Sequence, residues 1–174
     1  MDADASDAAL YTTLAEAEIF ECEFNRSEVQ STDHAKLGNL LAEYGLELRP
    51  TLRDGNCLFH VFCQILGLPC TDAGLVRSSA CDFLRRNSDL LLGASDDYVE
   101  QMALNGVWGG HREIFALCRH YSLNVMVFFV SGHGHQAQLR SVCEFGDPND
   151  TSFFDGYIAY VDGTHFEYAV PARA

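Results

Sequence analysis

No apolar run in this chain approaches the roughly 20 residues that a membrane-spanning helix needs; Val125 to Val130 is only of strand length. Basic residues are scarce. The 11 Lys and Arg stand against 25 Asp and Glu, a net charge of −14, so phosphates are repelled and nucleic acid is excluded as a partner. No CxxC pair occurs and the seven cysteines are odd in number, so neither a disulfide framework nor a common zinc site is implied. Free thiols suit a reducing compartment. The N-terminus carries Asp2, Asp4 and Asp7 and lacks both the basic and the apolar part of a signal peptide. Repeats and low-complexity segments are absent. The expectation is a soluble cytoplasmic monomer with no membrane partner, no metal and no cofactor.

What is present is enough for one domain. The chain has 174 residues and is 48% apolar, which permits a proper core. Residues 1–32 read as an N-terminal extension, helical or flexible, with Ser6 or Asp7 able to cap a helix bearing Leu10, Leu14 and Ala17. Residues 33–174 read as the folded unit. Asp33 caps a helix with Leu37, Leu40, Leu41 and Tyr44 as its stripe and Gly45 as its stop. An extended lead-in, Leu46 to Leu52, is broken by Pro50. A helix follows Cys57 and stops at Gly67. Further helices are expected after Thr71 or Asp72, with Leu75, Val76, Ala80, Phe83 and Leu84 inward; from Ser95 through Leu104; and from Gly110 to Tyr121.

The pattern then switches to strands. Asn124 to Val130 is a near-continuous apolar run, as a strand covered on both faces would be. Gln136 to Glu144 gives another. Tyr157 to Val161 and Thr164 to Val170 read as a hairpin turned by Asp162-Gly163. The fold class is α+β: helices packed on a small, mostly antiparallel or mixed β-sheet.

The chemistry gathers at Asp54-Gly55-Asn56-Cys57-Leu58-Phe59. A tight polar turn leads straight into an apolar helix, and Cys57 stands in its first turn. Unpaired backbone N–H groups and the positive dipole end favour a thiolate there. Those groups, with those of Gly55 and Asn56, are placed to hold an oxyanion. An ordinary core cysteine is the plain alternative, but it needs no such turn before it.

A cysteine nucleophile needs a base and a group to orient that base. Seven histidines compete. His34, His111 and His120 fall on helix surfaces and read as solvated. His133 and His135 flank a glycine in a loop placed to influence substrate choice; no third metal ligand accompanies them. His60 shares the helix face of Cys57, whereas His165 comes from the end of the hairpin, as a cleft between helix and sheet requires. Glu167 is two residues on and faces the same way on a strand.

The Asp54-to-Phe59 segment resembles the nucleophile motif of the ovarian-tumour (OTU) family of cysteine proteases, mostly deubiquitinases. Trp108-Gly109-Gly110-His111-Arg112-Glu113-Ile114 and Thr164-His165-Phe166-Glu167-Tyr168 are similar to two further motifs of that family, in the same order, so the likeness runs from about Leu37 to Val170. The resemblance implies Cys57 as nucleophile, His165 as base, Asp54 shaping the anion-hole loop with Gly55 and Asn56, and Glu167 as orienter where the family usually has Asp or Asn. It places Trp108 near the active-site floor and implies substrate contacts from Trp108, Gly109 and Phe166, with Glu113 structural. The implied partner is ubiquitin or a polyubiquitin chain, whose arginine-bearing tail suits an acidic groove. A narrow channel would admit only a Gly-Gly tail. Two other readings stay open: a catalytically weak ubiquitin-binding module on the same fold, and a cysteine hydrolase acting on another acyl substrate.

Overall fold

The computed structural model describes residues 33–130, 137–142, 154–161 and 163–173. The expected helix before residue 32, the loop holding His133 and His135, and Asp162 lie outside the described residues.

Helix α1 (Asp33–Glu43) buries Leu37 and Leu41 completely, while Tyr44 stays 44% exposed. Gly45 ends it at φ +67 and accepts a bond from Ala172 N–H. Strand β1 (Leu46–Arg49) follows at once. Helix α2 (Cys57–Leu66) buries every residue from Cys57 to Cys63. A helix apolar all round belongs at the centre of a protein. It stops at Gly67, a left-handed cap that donates back to Cys63 and Gln64 carbonyls.

A 3-10 turn (Cys70–Asp72) leads to α3 (Ala73–Arg86), whose buried residues are Ala73, Val76, Arg77, Ala80, Cys81 and Leu84. This stripe corrects the sequence reading. Leu75 is 67% exposed and Arg77 is inside. Helix α4 is only Tyr98–Met102, so Leu104 falls beyond it and is exposed. Helix α5 (His111–Tyr121) begins after Gly110.

The remaining strands are β2 (Val125–Val130), β3 (Ala137–Val142), β4 (Gly156–Val161) and β5 (His165–Pro171). They join β1 in a five-stranded mixed sheet of order β1-β5-β4-β2-β3. Only β2 and β4 run parallel; β4 and β5 form the expected hairpin, with Val161 opposite His165. The period-two alternation of side chains divides β2. Val125, Val127 and Phe129 join the core beneath α2, α3, α4 and α5, whereas Met126, Phe128 and Val130 meet Leu37 and Leu41 of α1. Both faces are therefore covered. The sheet delivers the start of β5 to the N-terminal end of α2, and there the site forms.

Candidate active site

The turn before α2 is built around glycine and two side-chain clamps. Gly55 has φ +78, and a Cβ there would lie 1.9 Å from the Gly106 carbonyl oxygen, so only glycine fits. Asp54 closes the turn by accepting from Asn56 N–H at 2.9 Å through Oδ1, and its Oδ2 is 3.0 Å from His60 Nε2. Partial burial works to raise the Asp54 pKa, but the bonds from His60 and Asn56 outweigh it and hold the carboxyl below its usual value. His60 thus serves the loop rather than the sulfur. The Asn56 N–H is therefore spent on Asp54 and is not one that faces an oxyanion.

A residue that the sequence reading passed over holds the other side of this turn. Arg77 is 2% exposed. Its Nη2 donates to Asn56 Oδ1 at 2.7 Å, Gly55 O at 3.1 Å and Val107 O at 2.6 Å, and its Nη1 donates to Met102 O at 2.8 Å. Its guanidinium carbon sits 4.1 Å from the centre of the Phe59 ring. Burial lowers its pKa, yet four oxygens receive it. The signal in sequence was a charge standing at a buried position of an otherwise apolar helical stripe.

Cys57 is 3% exposed. Burial pushes its thiol pKa up, against the pull of backbone N–H groups from Phe166, Leu58 and Cys57 itself. Desolvation thus works against the pull of the helix end, in the direction of the neutral thiol. A base must take its proton. The N–H that reaches the sulfur from the sheet belongs to Phe166, the neighbour of His165.

His165 is 1% exposed at the first position of β5. Its Nε2 lies 3.3 Å from Thr51 Oγ1, and Thr51 O–H donates to Phe166 O at 2.5 Å. Glu167 Oε1 is 3.9 Å from the same nitrogen, outside hydrogen-bonding range. Its Oε2 stands 3.7 Å from His34 Nε2 on α1. Glu167 shares a strand face with His165, but the orienting hydrogen bond expected of its carboxylate is absent from this geometry.

A cavity of about 510 Å³ lies on the side of Phe166, the neighbour of His165, its walls including Trp108, Gly109, Gly110, His111, Tyr160 and Phe166. Trp108 is 54% exposed and so is channel wall, not core. None of the lining residues is Asp or Glu, so the chain's acidity is not concentrated there. His111, read as solvated, is 8% exposed, and burial lowers its pKa to about 3, so it lines the channel as neutral imidazole. Glu113 is wholly buried. It accepts from Gly110 N–H at 2.7 Å and Tyr98 O–H at 2.8 Å, which fixes the Trp108-Gly109-Gly110 bend. A Cβ on Gly109 would come within 2.9 Å of Leu58 and 3.0 Å of Phe59. Among the described residues no group of three or more His, Cys, Asp or Glu is placed to hold a metal ion.

The chain is similar to known proteins in sequence and fold. The ovarian tumor domain-containing deubiquitinating enzyme 9 of Arabidopsis thaliana is 28% identical over 109 residues, which are 60% of this chain and 32% of that protein. The chain thus spans about a third of that relative's length. The solved OTUD1 OTU domain superposes with a TM-score of 0.68 at 14% identity, over 80% of this chain and 95% of the other. The Hazara virus OTU, solved bound to ubiquitin, gives 0.59 at 18% identity over 74% and 83%. The sequence model of the OTU-like cysteine protease family matches residues 52–166. That match takes in the Cys57 turn, the Arg77 helix, the Trp108 channel and His165, and the chain belongs to the OTU-like cysteine protease family.

Proposed function

We propose that this chain is a cysteine-type deubiquitinase that hydrolyses the peptide or isopeptide bond at the C-terminus of ubiquitin. One observation carries the reading: the Cys57 sulfur, at the N-terminal end of α2, is met by the N–H of Phe166, which stands beside His165 and also lines the Trp108 cavity. That the Hazara virus OTU is bound to ubiquitin supports ubiquitin as the partner.

The thiol proton passes to His165 as the sulfur attacks the carbonyl carbon of the terminal glycine. The new C–S bond leaves a negative oxygen facing backbone N–H groups at the N-terminal end of α2. Collapse expels the amine of the substrate lysine, which takes the proton from His165. Water then loses a proton to His165 and adds to the thioester carbon, and the Cys57 thiolate leaves and is reprotonated. The channel beside Gly109, with Trp108 on its wall, suits a tail without side chains. The free cysteines among the described residues fit work in the reducing cytoplasm, as a monomer, with neither nucleic acid nor a membrane as partner. Among the described residues no helix is long and apolar enough to cross a membrane.

Ubiquitin carrying a C-terminal propargylamide tests the reading. The expected result is one covalent adduct mapped to Cys57 and lost in Cys57→Ala. Binding without an adduct would favour the weak ubiquitin-binding module. Neither binding nor adduct would point to a different acyl substrate.

A further inference from the structure

We infer that Thr51 is the positioning residue that orients His165, in the place where Glu167 is expected. The inference rests on the cysteine-protease reading of the site. The strand pairing explains how Thr51 arrives there. β1 and β5 are in register from Leu46 opposite Pro171 to Arg49 opposite Tyr168. Pro50 then interrupts, since it has no N–H to give the ladder. Continuing the register sets Thr51 opposite Phe166, and the Thr51 hydroxyl makes the next link by donating to Phe166 O at 2.5 Å. With its proton committed to that carbonyl, the hydroxyl oxygen turns a lone pair outward. His165 Nε2 lies 3.3 Å away.

A hydroxyl whose single proton is already donated can only accept. His165 Nε2 must then carry the hydrogen, and Nδ1 is the nitrogen that exchanges a proton with Cys57. The second bond also fixes the ring's rotation, because Phe166 O is rigid backbone. Glu167 remains a source of negative charge 3.9 Å from Nε2 that favours the imidazolium form, but it aligns nothing at that distance. Titratable groups near the ring include Glu167 on β5 and, behind Glu167, His34 from α1. The orienter is therefore neutral, and it comes from the segment leading to the nucleophile. The base and the nucleophile loop are tied through one side chain.

The test compares Thr51→Val, Thr51→Ser and Glu167→Gln with the native chain. Two readouts apply: turnover of ubiquitin bearing a C-terminal coumarin amide, and the pH profile of Cys57 alkylation by iodoacetamide, followed by mass spectrometry of the Cys57 peptide. Thr51→Val should lower kcat by about 10- to 100-fold with KM within about twofold. It should also move the alkylation profile upward by about half a pH unit or more. Thr51→Ser, which keeps the hydroxyl, should stay within about threefold of native. Glu167→Gln should lose less than Thr51→Val. A folded Thr51→Val with native kcat and native pH profile overturns the inference, as does a Thr51→Ser no better than Thr51→Val. If Thr51→Val does not fold, nitrogen NMR of the native His165 ring decides: the Nε2–H tautomer supports the role and the Nδ1–H tautomer ends it. Alkylation and NMR need no substrate, so a chain inert toward ubiquitin would sink the proposed function and leave this inference to stand or fall separately.

Discussion

Glu167 Oε1 stands 3.9 Å from His165 Nε2, and the other carboxylate oxygen lies 3.7 Å from His34. The carboxylate is thus shared loosely between two histidines. Glu is one methylene longer than the residues usual at this place in the family, and the extra length lets it reach toward α1. Glu167→Ala should therefore cost little more than about tenfold in kcat, far less than loss of the base itself. Steady-state kinetics on a ubiquitin coumarin amide check this. A loss approaching that of His165→Ala would show that the carboxylate closes onto the ring during turnover.

The two histidines near the sulfur should separate cleanly. His165→Ala should lower kcat by about a thousandfold or more, which is roughly 4 kcal/mol of transition-state stabilisation. His60→Ala removes the partner of Asp54 Oδ2 but not the Asp54 bond to Asn56 N–H, so the turn keeps one clamp. Its cost should be about tenfold at most. A reversed ranking would make His60 the base and leave His165 a buried strand residue.

The raised Cys57 pKa sets the sign of a pH effect. Burial favours the neutral thiol in the folded chain. The rate of Cys57 alkylation should climb with pH beyond the range of an ordinary thiol, rather than level off near neutrality as a preformed thiolate would. The same linkage acts on stability: what the neutral thiol contributes is present below the ordinary thiol pKa and is lost as pH rises through the folded value. Cys57→Ala should remove that alkaline loss in a series of thermal melts. An alkylation profile flat from mildly acidic pH upward would overturn this account and show an ion pair at rest.

How far the sequence speaks for itself depends on how local each cause is. Helix α2 was legible because its apolar character and its Gly67 stop lie within a dozen residues. The hairpin of β4 and β5 was legible from alternation around one short turn. Thr51 was not, because its partners are 114 and 115 residues away and nothing in its own spacing marks it. Nothing in the spacing around Trp108 tells that it stands exposed beside the bend fixed by buried Glu113. His111 reads as surface because it opens a helix, yet the same bend carries that helix end into the channel wall.

Arg77 offers the sharpest test of how the site is held. It binds both the nucleophile turn, through Gly55 O and Asn56 Oδ1, and the channel segment, through Met102 O and Val107 O. These acceptors are drawn together because one planar guanidinium offers donors in several directions at once. Replacing it by Met keeps much of the stem's volume but strands carbonyls away from water. Each stranded acceptor costs about 1–3 kcal/mol, so Arg77→Met should destabilise by roughly 3 kcal/mol or more, short of the full sum because the segment can relax. Arg77→Lys should not rescue it, since one ammonium cannot span both segments or stack on Phe59 as the flat group does. Where the variant still folds at low temperature, kcat should fall together with the affinity for ubiquitin, because the anion-hole turn and the tail channel loosen as a unit. Urea unfolding gives the stability and adduct formation with ubiquitin propargylamide gives the reactivity. Native behaviour of Arg77→Lys in both would show that a single positive charge suffices there and that the fork geometry is not what holds the two walls.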